Sequence, residues 1–266
     1  MKTGLIPIQV FLLCIPFYIA GQNIIPAEPI SPTSLVKDFL CENVIYPEDA
    51  LDSGKEGKVL LRFIVDDKGK VSEIRIAQSA GEELDEEALR LFRMIEWKPA
   101  YRLGSPVTTE QEFEIDFNIK KYNKHCKERG YGSIEYPYKP VDTSNIIYTK
   151  TDVDQAPYPS FEYKTMTLSK FMSDNLVYPE QAYQRSLSGT VSLSFVVEPN
   201  GRISNIVIEK GVGGGCNEEA IRLIKLVKWM PGIKNKAAVR SRTNIEVNFK
   251  LPSESDHKLL DYNMGG

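Results

Sequence analysis

The sequence predicts an α+β fold made twice: two copies of an α-β-β-α-β unit, each a three-stranded antiparallel sheet with helices on one face. Three observations predict it. The first is a segment that recurs at constant spacing without a gap. Tyr46-Pro47-Glu48 returns as Tyr178-Pro179-Glu180, Gly57-Lys58-Val59 as Gly189-Thr190-Val191, Glu86-Glu87-Ala88 as Glu218-Glu219-Ala220, and Trp97-Lys98-Pro99 as Trp229-Met230-Pro231. A repeat at fixed spacing sets the domain count and supplies a two-sequence alignment. The second is strict alternation of apolar residues, Val59, Leu61, Phe63, Val65 and again Val191, Leu193, Phe195, Val197, the period of a strand with one constrained face. The third is the closing strand, Phe113, Ile115, Phe117, Ile119 and Ile245, Val247, Phe249, Leu251, whose opposite face is polar in both copies. One-sided alternation marks an antiparallel sheet with one face on the core and one toward water.

Taken in order, each unit opens on a helix. Val36, Phe39, Leu40 and their counterparts Leu168, Phe171, Met172 fall at helical spacing, with Ser34 and Thr167 as expected N-caps. Asn43, Asn175 and the Tyr-Pro pairs end it, because the residue before proline avoids the α region. The turns Asp67-Lys68-Gly69 and Pro199-Asn200-Gly201 join the first strand to a second, through Ile74-Ile76 and Ile206-Ile208. Asp85 and Asn217 are expected to cap a second helix whose acidic first turn suits the helix dipole. Its buried stripe is Ala88, Leu91, Phe92, Ile95, or Ala220, Leu223, Ile224, Val227, and Pro99 or Pro231 stops it.

These boundaries place the units at 33–119 and 165–251. Residues 120–164, rich in Tyr, Pro and Lys and without periodicity, read as a semi-extended linker. Residues 252–266 read as a polar, disordered tail. Residues 1–21 carry Lys2, an apolar run from Leu5 to Ala20 and a small-residue site at Gly21, the pattern of a cleaved signal peptide, with a short uncleaved anchor as the competing reading.

The chain has 266 residues and a formal net charge of −3, with no Lys/Arg block, so a general nucleic-acid surface is not expected. Export leaves Cys41, Cys126 and Cys216, which form no disulfide or zinc pattern, and Cys41 and Cys216 read as small apolar packers. The two histidines, His125 and His257, fall in linker and tail. No catalytic, cofactor or metal residues are predicted. Glu86/Glu218 and Glu87/Glu219 sit at a helix start, Ser72/Ser204 has no matched histidine for a nucleophile–base pair, and Gly213-Gly214-Gly215 reads as the turn into a helix. Trp97 and Trp229 read as core anchors.

The surviving candidate is a sheet edge, whose unpaired N–H and C=O groups can template an extended peptide. The third strand's outer face is acidic in the first copy (Glu110, Glu112, Glu114, Asp116) and mixed in the second (Arg240, Arg242, Asn244, Glu246, Asn248, Lys250). Charged outer residues also defend an edge against unwanted pairing, so recognition and protection both fit.

The ordered set (Tyr-Pro-x-x-Ala, Gly-x-Val, a hairpin glycine, Glu-Glu-Ala, Trp-x-Pro and a closing Phe, seen twice) resembles the TonB C-terminal domain family, in tandem. The resemblance implies a periplasmic protein of Gram-negative bacteria whose edge strand pairs with a short TonB-box peptide of an outer-membrane transporter. Carried over, the first-choice pairing edge is Ser241, Arg242, Thr243, Asn244, Ile245, Glu246, Val247, Asn248 and Phe249, and the second choice is Thr109, Glu110, Glu112, Glu114 and Asp116. Residues 5–20 lack the Ser/His face that family members turn toward an inner-membrane motor, and only about ten residues, at most ~35 Å, separate Gln22 from the first unit. The expectation is therefore a peptide-binding module. The alternatives are an anchored energy transducer and a non-energising scaffold whose domains pack or form a homodimer through sheet edges.

Overall fold

Alternating β-branched and aromatic residues flanked by turn glycines do form the strands expected. The computed structural model describes residues 24–130, 132–163 and 165–251, which fall into two compact units divided between Ile134 and Glu135. The expected signal segment and tail lie outside the described residues, as does His257. The first unit contains α1 (Thr33–Asn43), α2 (Glu48–Asp52), β1 (Gly57–Val65), β2 (Val71–Gln78), α3 (Glu82–Arg93), β3 (Thr109–Phe117) and α4 (Ile119–Arg129). The second contains α5 (Leu168–Asn175), α6 (Glu180–Gln184), β4 (Gly189–Val197), β5 (Ile203–Lys210), α7 (Cys216–Leu226) and β6 (Ala237–Phe249).

In the first unit β1 is central, antiparallel to β2 on one side and to β3 on the other, with Gly57 opposite Phe117 and Val65 opposite Thr109. The second unit repeats this register, with Gly189 opposite Phe249 and Val197 opposite Ser241. Its sheet is larger than expected. Gly232–Lys234 forms a hairpin with the head of β6, and Ile147–Tyr148 pairs in parallel with Arg240 and Ser241.

The core lies where the alternation placed it. Val59, Leu61, Phe63 and Val65 are fully buried against Ala88, Leu91 and Phe92, and Val191, Leu193, Phe195 and Val197 against Ala220, Leu223 and Ile224. Trp97 sits within 4.7 Å of Phe63 and 5.8 Å of Phe113, ring centre to ring centre, and Trp229 within 5.1 Å of Phe195. Both tryptophans are core anchors. Tyr46 and Tyr178 stand edge-on to Phe117 and Phe249 and donate their hydroxyls to the carbonyls of Lys55 and Leu187. That explains why both copies keep tyrosine before the proline.

Several local expectations are corrected. Thr167 caps α5, accepting from Lys170 N at 3.2 Å, but Ser34 does not cap α1, whose first free N–H groups go to the Pro32 carbonyl. Asp85 and Asn217 lie inside their helices and reach back into the preceding loop, Asp85 to Ala80 N (3.0 Å) and Asn217 to Val212 N (3.0 Å). Ile119 opens a helix instead of closing a strand, because Asn118 accepts from Lys121 N and starts α4. The connection is therefore not structureless. Its first part is α4, and Ile147–Tyr148 and Tyr158–Ser160 are paired strands of the second unit.

The hairpin glycines are held by geometry. Gly69 and Gly201 have φ of +83° and +80°, and a Cβ on them would stand 2.2 Å and 2.5 Å from the carbonyl oxygens of Trp97 and Trp229. Gly201→Ala therefore combines left-handed strain with a backbone clash and is expected to cost about 2–4 kcal/mol, read as a lowered urea midpoint at unchanged m.

Candidate peptide-binding edge and groove

The helix that flanks each edge strand is fixed by one repeated device. Glu87 accepts Ile45 N on Oε1 (2.7 Å) and pairs with Arg90, which donates to the Asn43 carbonyl (2.7 Å) at the end of α1. Glu219 accepts Val177 N (2.7 Å) and pairs with Arg222, which donates to the Asn175 carbonyl (2.6 Å) at the end of α5. Glu87 and Glu219 are therefore structural, and their partners are arginines one turn later that sequence reading missed. Asn43 and Asn175 finish the same helix ends by donating to the carbonyls of Phe39 and Phe171.

In the second unit, α5 and the tail half of β6 enclose a groove of about 650 Å³, lined by Leu168, Met172 and Leu176 on the helix and by Asn244 to Asn248 and Lys250 beside it. The backbone direction along β6 follows from its hairpin. Ala238 exchanges bonds with Pro140 and Asp142 on the outer side (both 2.8 Å), while Ala237 and Val239 pair inward with Lys234 and Gly232. Alternation then turns odd-numbered residues toward β4 and aims the N–H and C=O of Asn244, Glu246 and Asn248 outward. Among the described residues no strand pairs with the outer edge of Thr243–Phe249.

Two of the first-choice residues need correction. Ser241 is completely buried and already paired with Tyr148, and Arg242 lies at the end of that paired stretch. The open length begins at Thr243. The head of β6 is held instead by a buried ion pair. Glu198 and Arg240 are 1% and 4% exposed and meet through two bonds of 2.9 Å, Ser204 donates to Glu198, and Arg240 also donates to the Asn145 carbonyl (3.2 Å). The outer face here, expected to be wet, is covered: Val196 and Ser204 are buried, and Pro137 lies 3.8 Å from a Cβ built on Gly201.

The second-choice edge differs in another way. Its acids are neutralised by bases on neighbouring elements: Glu110 by Arg75, Glu112 by Arg62 (2.9 Å), Glu114 by Lys58 (2.7 Å) and Asp116 by Lys121 (2.6 Å). Glu114 correspondingly holds the Lys58 ammonium above the usual lysine range, chiefly through its hydrogen bond. The acidic reading of this strand counted its own residues and missed the cross-strand bases. Cys41 and His125, far apart in sequence, meet at 3.3 Å between α1 and α4. Burial, then the carboxylates of Asp38, Glu42 and Glu128, push the Cys41 thiol above its ordinary range, the direction opposite to that of an activated nucleophile. Cys216 is buried. Among the described residues no cluster of three or more His, Cys, Asp or Glu could hold a metal.

Comparison with protein families gives a match to the Gram-negative bacterial TonB protein C-terminal domain at residues 42–119 and again at 174–251, more than half of the chain. The chain belongs to the TonB C-terminal domain family, in two tandem copies. A search of curated proteins gave no match. The TonB-family match begins at the end of α1 in one copy and within α5 in the other, so most of the helix that walls each groove lies outside it. No helix among the described residues is long and apolar enough to cross a membrane.

Two substitutions separate these constraints. Arg222→Met leaves Glu219 buried without its partner and frees the end of α5; because the arginine is 43% exposed, the expected cost is about 2 kcal/mol, below that of breaking a fully buried pair, and is read by thermal unfolding. Glu198→Leu strands the Arg240 charge and is expected to cost about 3–5 kcal/mol, with most of it recovered in the double variant E198L/R240M.

Proposed function

We propose that this chain is a periplasmic peptide-binding module of TonB-dependent transport. In this reading the second unit takes an extended, TonB-box-like peptide of an outer-membrane transporter by strand addition along Thr243–Phe249. The observation that carries it is the open edge lying beside a groove of mixed polarity whose helix wall carries Leu168, Met172 and Leu176. The outward N–H and C=O groups of Asn244, Glu246 and Asn248 supply main-chain affinity, and Leu168, Met172 and Leu176 receive alternate side chains of the incoming strand. Membership in a family of TonB C-terminal domains favours an envelope partner. No catalytic constellation among the described residues competes with a binding role, and the Gly213-Gly214-Gly215 run is spent on backbone packing, since a Cβ on Gly214 or Gly215 would meet Ala182 or Pro179.

The test is NMR titration of the whole chain with TonB-box peptides from transporters of the same genome. Amide shifts confined to Thr243–Phe249 and the facing side of α5 are expected. Absence of shifts there at millimolar peptide would defeat the proposal. Glu246→Pro removes an outward N–H that makes no bond to β4, so the fold is expected to survive while peptide affinity falls about tenfold or more.

A further inference from the structure

The two units build the same groove from equivalent positions. Leu40, Cys41 and Val44 line the first where Met172, Ser173 and Leu176 line the second, each facing the tail half of the last strand. Only the first has a third wall among the described residues, and that wall is α4. The helix leaves β3 at its Asn118 cap and runs back to the end of α1. There the Arg129 guanidinium donates to the carbonyls of Cys41 (2.9 Å), Glu42 (3.1 Å) and Val44 (3.1 Å). It also lies 5.5 Å from the centre of the Tyr122 ring, which packs 5.3 Å from Tyr46. His125 meets Cys41, and Lys121 meets Asp116 on the strand. What remains of the groove is about 100 Å³ against about 650 Å³ in the second unit.

We infer that α4 is an intrachain occupant of the first unit's groove, which closes that unit to extended peptides and leaves the second as the receptor. The inference rests on the reading that the groove and edge together take the peptide. The nature of the attachment points to an occupant that can leave. Of the α4 side chains only Tyr122 is buried, Ile119 and Cys126 are partly buried against the core, and the contacts of Lys121, His125 and Arg129 are polar. A core helix of this length buries a wider apolar stripe than these three positions, of which one is fully buried. Removing α4 would take Tyr122 from the rim of the core but leave the pairing of β1, β2 and β3 in place, and would expose Leu40, Val44 and Ile115 beside an edge with no strand partner among the described residues.

The experiment melts α4 in the full chain and reads both edges. Lys124 is exposed in the middle of the helix, so Lys124→Pro breaks it without touching α1 or β3. Arg129→Ala removes the three carbonyl bonds. Release is followed without any peptide through Cys41, whose alkylation, resolved by mass spectrometry, is expected to quicken about tenfold or more as its cover opens. The same TonB-box peptides are then titrated. The expected result is shifts only along Thr243–Phe249 in the parent chain, and along both Thr243–Phe249 and Thr109–Phe117 in the released variants. Shifts along both edges in the parent would overturn the inference, because the first groove would then be open with α4 in place. So would released variants with reactive Cys41 that respond only along Thr243–Phe249, and so would unchanged Cys41 reactivity in both variants. Silence along both edges would instead remove the peptide-binding reading itself.

Discussion

Everything near the edge strands depends on where the first helix of each unit ends, and one charged clamp sets that point. A glutamate on α3 or α7 takes the backbone N–H just beyond the first helix, and the arginine one turn later takes the last helical carbonyl. Those two groups have no partner within the helix itself. Satisfying both from one i,i+3 pair ties the helix end to the core. The glutamates are buried and the arginines half-exposed, so the clamp supplies geometry along with modest energy. Without it the helix end would be free to fray, and neither groove would have a fixed wall.

The copies share this frame and spend their remaining charges differently. Asp66 and Glu198 occupy the same position after the first strand. Asp66 is only partly covered and accepts from Lys70 and Lys68 N, which hold its carboxyl below the usual range. Glu198, one methylene longer, turns to the sheet face and meets Arg240 in a dry site. The difference in burial decides their weight. An exposed pair contributes about 0–1 kcal/mol, as the four acid–base pairs on the first unit's sheet do at most, while a buried bidentate pair is costly to break from either side. The second unit thereby holds residues 141–148 on the head of its last strand, at Ala238, Arg240 and Ser241.

The buried pattern was legible because a period of two, repeated in a second copy, leaves little choice of register or facing. Tyr46, Trp97, Phe117 and their counterparts stand where the repeat implied. What was not legible shares one property: it depends on partners distant in sequence or on a helix too polar to announce itself. The α4 segment carries Ile119, Tyr122 and Cys126 at helical spacing, but its other eight residues are all charged, amide or imidazole side chains, so it merged with the linker. The bases facing Glu110, Glu112 and Glu114 sit on other strands, invisible to a count along one strand. Asp85 and Asn217 looked like caps because the side chains that cap helices also bind loops, and the turn before each helix required the latter. The closed head of β6 came from a pairing of parallel strands separated by roughly ninety residues, which no local signal encodes.

The contrast between the grooves then reduces to a competition between a tethered group and a free one. α4 follows β3 with Asn118 alone between them, so it samples the first groove at an effective concentration of millimolar or more. A free strand must exceed that with its own contacts before it can enter. Along β6 the same competition is fought only at the head, where Ile147 and Tyr148 have already taken the edge, and the seven residues from Thr243 to Phe249 lie beyond their reach. Duplication kept one frame twice, and each copy's own flanking chain, packed onto its last strand, decides how much of that strand is left to offer.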